Sequence, residues 1–351
     1  MLGALCAVAV AGGVQAQSDS KAALPAIYMY QGQDREKLLL DGARKEGTVT
    51  VYTSMNTKDS VPITAAFEKK YGIKVVLWRA GSEKIVQRSV TEARANRFTP
   101  DVIDTNGPEM EALAREELLS EFYSPAFKDI PKVAFPPHRR YVAERFNFFT
   151  IAYNTNLVKP EDVPNTYEDL LKPRWAGKVG IEAGDVDWFA ALVKAMGEEK
   201  GLAYFRNLSE MDPQIRIGHT LMVELLAAGE MDLLAAAYNH NVERAAVGGA
   251  PVKWKALAPT FGRPNAVGLA RHAPHPHAGL LFAEFLLSRE GQKLIAARHR
   301  VPSSKAVNSP LAQFGYQMID PGIVLDEAEK WDRLWEDIMI KGRGASMGQG
   351  G

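Results

Sequence analysis

The feature that most constrains the fold is a repeated alternation of short apolar runs with longer helical patterns. Thr48–Thr53 is rich in β-branched residues, which favours a strand, and a helix follows it with Asp59 or Ser60 as N-cap and Gly72 at its end. Two more strand–helix pairs follow along the chain, at 73–78 with 83–97 and at 100–104 with 109–122. This βαβαβα order predicts an α/β fold in which helices flank a parallel sheet.

The same alternation restarts in the second half of the chain and predicts a second α/β lobe. We expect its strands at 178–181, 214–217 and 231–238, and its helices at 188–208, broken near 197–201, and at 220–229. Irregular segments around 131–137 and 258–265 offer two crossings between the lobes. Ligands of open parallel sheets bind at the carboxyl ends of strands, so two facing lobes predict a cleft that closes by hinge motion.

Length and charge limit the possible functions. A chain of 351 residues is long enough for two domains, each with its own core. Its 42 Lys and Arg residues balance 42 Asp and Glu residues. Proteins that bind nucleic acids normally carry a basic excess, so we expect no nucleic-acid partner.

The first 16 residues have the small, apolar composition of a secretory signal peptide. Val14-Gln15-Ala16 has the form of a cleavage site, so we expect cleavage after Ala16 and export to the periplasm; the alternative is a buried N-terminal helix. Cys6 is the single cysteine and lies in this segment. The cleaved chain would therefore contain no thiolate nucleophile, disulfide or cysteine-ligated metal.

Polar residues gather where the predicted strands end. Thr53 ends the first strand, and Ser54 and Asn56 follow it, where hydroxyls, amides and free N–H groups suit a carboxylate, a phosphate or a hydrated ion. Simple capping of the next helix explains them equally well.

Two junctions of the second lobe offer further candidates. Asp187 is a candidate N-cap, and Trp188 is either a wall of the cleft or a core residue. His219 and Thr220 open the next helix, as surface caps or as ligand contacts.

The strand expected over Leu233–Tyr238 ends in the sequence Tyr238-Asn239-His240. A phenol, an amide and an imidazole at the end of a buried strand fit a metal site, a site for an organic ligand or an ordinary turn. The sequence alone leaves these three interpretations open.

Two other features argue against specialised chemistry. His272, His275 and His277 resemble a metal cluster, but the prolines between them favour an extended entry to a helix, and no acidic residue accompanies them in the sequence. The chain also lacks a Gly-x-Ser-x-Gly elbow, a phosphate-binding loop and a His-Glu-x-x-His motif. Nothing in the sequence therefore indicates an enzyme.

Several segments resemble the periplasmic solute-binding proteins of ABC importers, and specifically the branch that contains the ferric-ion-binding proteins. The resemblance covers about residues 46–305 and rests on the segments 46–54, 153–158, 171–179, 228–232, 273–278 and 285–292. It implies a type II-like fold of two lobes joined by crossing strands, which closes around a ligand and delivers it to a permease in the inner membrane. It also implies a monomer.

The resemblance divides the chain into segments. Residues 1–16 are the signal peptide, 17–145 with 265–305 form lobe 1, 146–264 form lobe 2, and 306–351 hold C-terminal helices and a flexible tail. Among the C-terminal helices, residues 328–340 form an amphipathic helix that we expect to pack against a lobe rather than recruit a partner; one face carries Trp331, Leu334, Trp335 and Ile338.

The ligand remains open, because this chain departs from the ferric pattern. Ferric members carry two adjacent tyrosines at the end of the strand that corresponds to 233–238, a histidine after the first strand and a glutamate near the start of the second helix. This chain has Tyr238-Asn239-His240, Asn56 and Glu83 at those places. Tyr238, His240 and Glu83 could hold Fe³⁺ together with an exogenous anion, although residues 238 and 240 share a face only if the strand continues through Asn239.

Our leading hypothesis is a binding protein without a cofactor, for a small organic or anionic solute. Tyr238, Asn239, Thr53 and Ser54 would hydrogen-bond the solute, and Trp188 would form an apolar wall. Arg263 would hold a carboxylate or phosphonate, or would only fix its own loop. The alternatives are a ferric-ion carrier, a sensor subunit, and an enzyme that uses His240 as a base beside Tyr238.

Overall fold

The computed structural model describes residues 26–341. The predicted signal peptide and residues 342–351 lie outside the described residues. Between residues 26 and 341, no helix is both long enough and apolar enough to cross a membrane.

The strands of the described residues form one mixed sheet. Their bounds are β1 Thr48–Thr53, β2 Lys74–Arg79, β3 Val102–Asn106, β4 Leu119–Ser120, β5 Val142–Asn154, β6 Val179–Glu182, β7 Gln214–Arg216, β8 Leu233–Tyr238, β9 Val252–Lys255, β10 Phe261–Ala270, β11 Val301–Pro302 and β12 Gln317–Met318. The order across the sheet is β2-β1-β3-β10-β5-β8-β6-β7. The short strands β4 and β12 pair with β10, and β9 and β11 pair with β5.

Each end of this sheet is parallel, as the sequence predicts. Strand β1 runs parallel to β2 and β3, and β6 runs parallel to β7 and β8. The fold is thus the expected α/β architecture of two lobes, but the two parallel halves belong to one continuous sheet.

Two long antiparallel strands connect the halves. Strand β10 pairs with β3 over residues 265–269 and with β5 over 261–267. Strand β5 then pairs with β8 over residues 149–153. Each strand therefore belongs to both halves, and the lobe boundaries that we propose, at 145/146 and 264/265, fall inside them.

Helices cover both faces of the sheet. They are α1 Arg35–Glu46, α2 Thr57–Tyr71, α3 Ser82–Arg94, α4 Gly107–Arg115, α5 Val186–Met196, α6 Glu198–Glu210, α7 His219–Ala228, α8 Asn239–Val247, α9 Pro276–Leu287, α10 Arg289–Ala297, α11 Pro321–Asp326 and α12 Ala328–Trp335, with a π-helical turn at Glu336–Lys341. The break expected near Gly197 separates α5 from α6.

The start of α2 differs from the sequence prediction. Asn56, rather than Asp59 or Ser60, is the N-cap, since its side-chain oxygen accepts a hydrogen bond from the Lys58 N–H at 2.9 Å. The Asp59 carboxylate is buried and pairs instead with Arg244 and Arg300. The helix ends at Gly72, whose left-handed φ of 71° suits glycine.

The C-terminal helix α12 packs against the hydrophobic core of lobe 2, as its amphipathic pattern predicts. Trp331 and Trp335 are 2% and 3% exposed. The ring of Trp335 lies 5.4 Å from that of Phe189, and its Nε1 donates to the Ala183 carbonyl at 2.9 Å. Residues far along the chain therefore complete the core of this lobe.

We predict that Trp335→Ala lowers the free energy of unfolding by about 3–5 kcal/mol, because it opens a large cavity and leaves the Ala183 carbonyl without its donor. Urea denaturation followed by circular dichroism measures this change. Glu329→Ala, at an exposed position of the same helix, is the control and should cost about 0.5 kcal/mol or less. Equal effects of both variants would contradict a core role for α12.

Candidate ligand-binding cleft

A cavity of about 990 Å³ lies between elements of the two lobes. Its walls are the first turns of α3, α4 and α5, the crossing strand β10 and the C-terminal helices. Glu83 and Glu109 face it from lobe 1, whereas Asp187 and Arg263 face it from the opposite side. The volume is within the range of about 300–1,000 Å³ that is usual for small-molecule sites.

The Arg263 guanidinium organises one wall of this cleft. Its Nε donates to Asp187 Oδ2 at 2.5 Å, its Nη2 contacts Asp187 Oδ1, and its Nη1 donates to the Tyr238 hydroxyl oxygen. The side chains of Arg263 and Asp187 are 12% and 5% exposed, so both charges are largely removed from water. A two-point pairing of this kind fixes the guanidinium plane and neutralises its charge locally.

Behind Arg263 lies a layer of buried polar groups. The His219 ring stacks on the Tyr238 ring with centroids 3.8 Å apart, and its Nε2 lies 3.2 Å from Asp185 Oδ1. Burial raises the pKa of the Tyr238 phenol well above its ordinary value, although Arg263 opposes this shift. Burial also raises the pKa of Asp185, against the opposing effect of His219.

Glu109 lines the cleft, and one of its two carboxylate oxygens lacks a hydrogen-bond partner. Its Oε2 is buried and makes no hydrogen bond to any described residue. Burial raises the pKa of Glu109, a hydrogen bond from its own backbone N–H and the charge of Arg263 lower it, and the nearby carboxylates of Asp187 and Glu83 raise it further. The pKa of Glu109 therefore depends on charges on both walls of the cleft.

The wall of the cleft carries an excess of negative charge. Four of its residues are acidic and two are basic. These residues are Glu83, Glu109, Asp187, Asp332, Lys84 and Arg263. Asp185 adds a further carboxylate 3.7 Å behind Arg263 Nη2. Because Arg263 is already paired, the field in the cleft favours a cationic group.

The end of β8 differs from what a ferric shell requires. The strand ends at Tyr238 and α8 begins at Asn239, so residues 238 and 240 do not alternate along a strand. His240 is completely buried and its Nε2 contacts the Arg300 guanidinium. Burial and the neighbouring arginines hold its pKa well below the usual value, so Nε2 accepts this hydrogen bond as a neutral imidazole.

Of the three residues suggested for Fe³⁺, the rings of Tyr238 and His240 stack with centroids 5.5 Å apart, but both side chains already have other partners. Glu83 is exposed on α3, Tyr238 is bound to Arg263, and His240 is bound to Arg300. The contact with Arg300 also occupies the nitrogen that His240 would need as a catalytic base.

The polar residues after β1 serve local structure. Thr53 donates to Asp104 at 2.6 Å and accepts from the Met55 N–H, while the Ser54 hydroxyl accepts from Thr105 at 3.1 Å. Asn56 caps α2. These three residues therefore stabilise local structure and do not line the cleft.

Three further candidates from lobe 2 also lie away from the cleft wall. Trp188 is fully buried, with its ring 5.3 Å from that of Phe205, so it is a core residue. Thr220 is exposed on the first turn of α7. Asn239 is fully buried and donates to the Leu311 carbonyl at 2.7 Å.

The histidines near residue 275 do not form one cluster. His275 Nδ1 lies 3.0 Å from Asp101, and His277 Nδ1 lies 2.7 Å from Glu46, while the His272 ring packs on Phe98. Acidic partners thus exist, supplied by other parts of the chain, and the segment leads into α9 as expected.

One group in the described residues has the spacing of metal ligands. Atoms of Glu182, Asp185 and His219 lie within 4.8 Å of one another. Both oxygens of Glu182 already accept backbone N–H groups, from Gly184 and Gly218, at 2.7 Å each. Glu182 therefore shapes the two loops that hold Asp185 and His219.

Asp185 and Glu109 were missed by the sequence predictions, although a usable signal exists. Both stand where a helix follows a strand, Asp185 directly before α5 and Glu109 in the first turn of α4. The capping preference that selected Asp187 also fits Asp185, which is the actual N-cap of α5 in place of Asp187. The preference for acidic residues in the first turn of a helix fits Glu109. Neither preference shows which carboxylate oxygens lack a partner.

We predict that Arg263→Met lowers the free energy of unfolding by about 3–5 kcal/mol, because it leaves the buried Asp187 carboxylate unpaired. The double variant Arg263→Met with Asp187→Leu should recover most of this loss, since both charges are then removed. Denaturation of the wild type, both single variants and the double variant measures the coupling. Strictly additive effects would contradict a direct pairing.

Comparison with known proteins supports the fold and its class. The family described as bacterial extracellular solute-binding protein matches residues 98–314. Iron uptake protein A1 of Synechocystis sp. is 27% identical over 310 residues, covering 81% of this chain and 84% of that protein. The "Putative 2-aminoethylphosphonate-binding periplasmic protein" of Salmonella typhimurium is 25% identical over 290 residues, covering 78% and 82%.

Solved structures agree in fold. The Trichodesmium protein IdiA (FutA), in complex with iron and citrate, has a TM-score of 0.71 at 20% identity, covering 83% of this chain and 99% of that one. The periplasmic binding protein AfuA of Actinobacillus pleuropneumoniae, with fructose-6-phosphate bound, has a TM-score of 0.73 at 20% identity, covering 84% and 99%. With the family match over residues 98–314, these findings show that the chain belongs to the bacterial extracellular solute-binding proteins.

Proposed function

We propose that this protein captures a small organic solute with a cationic group in the periplasm and delivers it to the permease of an ABC importer. The single observation that carries the ligand class is the unpaired Oε2 of the Glu109 carboxylate, in a cleft with four acidic and two basic residues where the buried cation, Arg263, is already paired with Asp187. A protonated amine would satisfy Glu109 and reduce the excess negative charge around it.

This proposal changes the role first expected for Arg263. An anionic ligand would have to compete with Asp187 for the guanidinium and would meet Glu83 and Glu109 on the opposite wall. A zwitterion avoids repulsion by the carboxylates of the opposite wall, because its amine can face them while its anionic end approaches Arg263. The aminophosphonate named for the Salmonella relative is a solute of that class.

We predict that amines and zwitterionic amines, with ethylammonium and 2-aminoethylphosphonate as probes, bind the purified protein and raise its melting temperature. Isothermal titration calorimetry gives the affinities. Glu109→Gln should weaken binding by about 10- to 100-fold, as expected for loss of a charge-assisted hydrogen bond. Glu116→Gln, at an exposed position after α4, is the matched control and should bind normally.

The pH dependence supplies a separate check on Glu109. Its pKa is raised in the folded protein, so the carboxylate gains a proton at a higher pH than usual as the solution is acidified. Binding of the cationic probes should therefore weaken as pH falls through this raised pKa, while the amine itself stays protonated. Glu109→Gln should lack this step, and the same pH profile in both proteins would contradict the assignment.

A ferric ligand is the second candidate, and one observation favours it. Glu182, Asp185 and His219 have metal-ligand spacing, and the Tyr238 phenol stacks on the same histidine. Fe³⁺ would have to displace Arg263 from Tyr238 and overcome the raised pKa of that phenol. Ferric citrate should then produce a visible tyrosinate-to-iron band that Tyr238→Phe abolishes; a colourless protein excludes this candidate.

The remaining parts of the proposal concern the cellular role. The relatives of this chain are binding proteins rather than enzymes, and a monomer without a catalytic role fits a carrier that docks on a permease. A neighbouring pair of genes for a permease and an ATPase would support import, whereas a neighbouring receptor gene would favour a sensor subunit.

A further inference from the structure

A second cavity, of about 400 Å³, adjoins the cleft and is mainly apolar. One side is the face of α5 that carries the small side chains of Ala190, Ala191 and Ala195. The opposite side comes from the C-terminal segment and includes Ile323 and Trp331. We refer to it as the apolar cavity.

The apolar cavity shares part of its wall with the cleft. Val186, Val324 and Ala328 line both spaces, and the carboxylates of Asp187 and Asp332 lie at their junction. A molecule whose charged group lies in the cleft therefore has an apolar space directly beside it.

The C-terminal wall of the apolar cavity is held by both lobes. Strand β12 pairs with β10, and α11 is tied to α4 of lobe 1 by the ion pair of Asp326 with Arg115. Helix α12 packs in lobe 2 through Trp331, and Glu327 pairs with Lys194 of α5 at 2.6 Å. The cavity is thus a built part of the fold, although an empty apolar space this size loses the contacts that side chains would provide.

We infer that the apolar cavity is a subsite for a hydrocarbon or aromatic group of the solute, whose cationic group lies against Glu109. This inference rests on the proposed function and narrows it, because it selects an amine with an apolar tail over a bare ion or a small polar amine. Water in the apolar cavity would find few polar partners, so an apolar group that displaces it gains affinity.

A homologous series of methylammonium, propylammonium and hexylammonium ions tests the inference by calorimetry. Each methylene that enters the apolar cavity should tighten binding by about fourfold until the space is filled, since a buried methylene contributes about 0.8 kcal/mol. Measurable binding that does not change along the series would overturn the apolar subsite and leave the cationic site intact.

Variants that fill the apolar cavity provide a second test of the subsite. Ala191→Phe should bind methylammonium normally but lose the gain for hexylammonium, and Ala195→Phe, at a more exposed position, serves if the first variant folds poorly. Glu199→Phe, exposed on α6 and lining neither cavity, is the matched control. A retained gain in both alanine variants would contradict the assignment.

Neutral 1-hexanol separates failure of the subsite from failure of the proposed function. Binding of 1-hexanol that Ala191→Phe abolishes, without binding of any ammonium ion, would uphold the apolar subsite and overturn the cationic ligand. Absence of both would overturn both proposals.

Discussion

The antiparallel pairing of β5 with β10 is the constraint on which the rest of the structure depends. It runs from residue 142 to 149 on one strand and from 267 to 261 on the other. One parallel half of the sheet attaches to β10 through β3, and the other attaches to β5 through β8. The chain crosses between the lobes on these two strands, so the position of the cleft follows from their pairing.

The same pair of strands explains why Arg263 occupies the centre of the site. Arg263 is on β10 opposite Asn147 of β5, four residues before Val267, where the strand enters the core of lobe 1. Its side chain therefore leaves the sheet between the lobes and meets Asp187 at the start of α5. The long, flexible Arg263 side chain is fixed there by its two-point pairing with Asp187 and by the Tyr238 hydroxyl. These contacts reduce its conformational entropy.

How far the sequence predicts this protein depends on whether a feature is local. The alternation of strands and helices, the break at Gly197 and the amphipathic face of α12 all follow from neighbouring residues and could be predicted. The N-cap of α2 was placed three or four residues late because Asp59 and Ser60 match the capping preference as well as Asn56 does. Distant partners, which the sequence does not reveal, give Asp59 its actual role in ion pairs with Arg244 and Arg300.

The candidate site shows the same limit more strongly. Tyr238 and Asp187 could be selected because they stand at strand ends and helix starts. The side chains that pair with them, however, come from distant parts of the sequence. Arg263 neutralises Asp187, and Arg300 engages His240 across 60 residues of sequence. Patterns of residue type predict where a cleft opens, whereas its net charge depends on which of these pairs form.

On the proposed function, the distribution of charge would link ligand binding to closure of the cleft. Glu83 and Glu109 belong to lobe 1, and Asp187 and Asp185 belong to lobe 2. Burial is the main cause of the raised pKa of Glu109, and the like charges of Asp187 and Glu83 raise it further. If the ligand is a cation, as we propose, it would reduce the repulsion between these carboxylates and bind a closed form more tightly than an open one, and that difference in affinity is what a carrier needs in order to present a closed, loaded state to a permease.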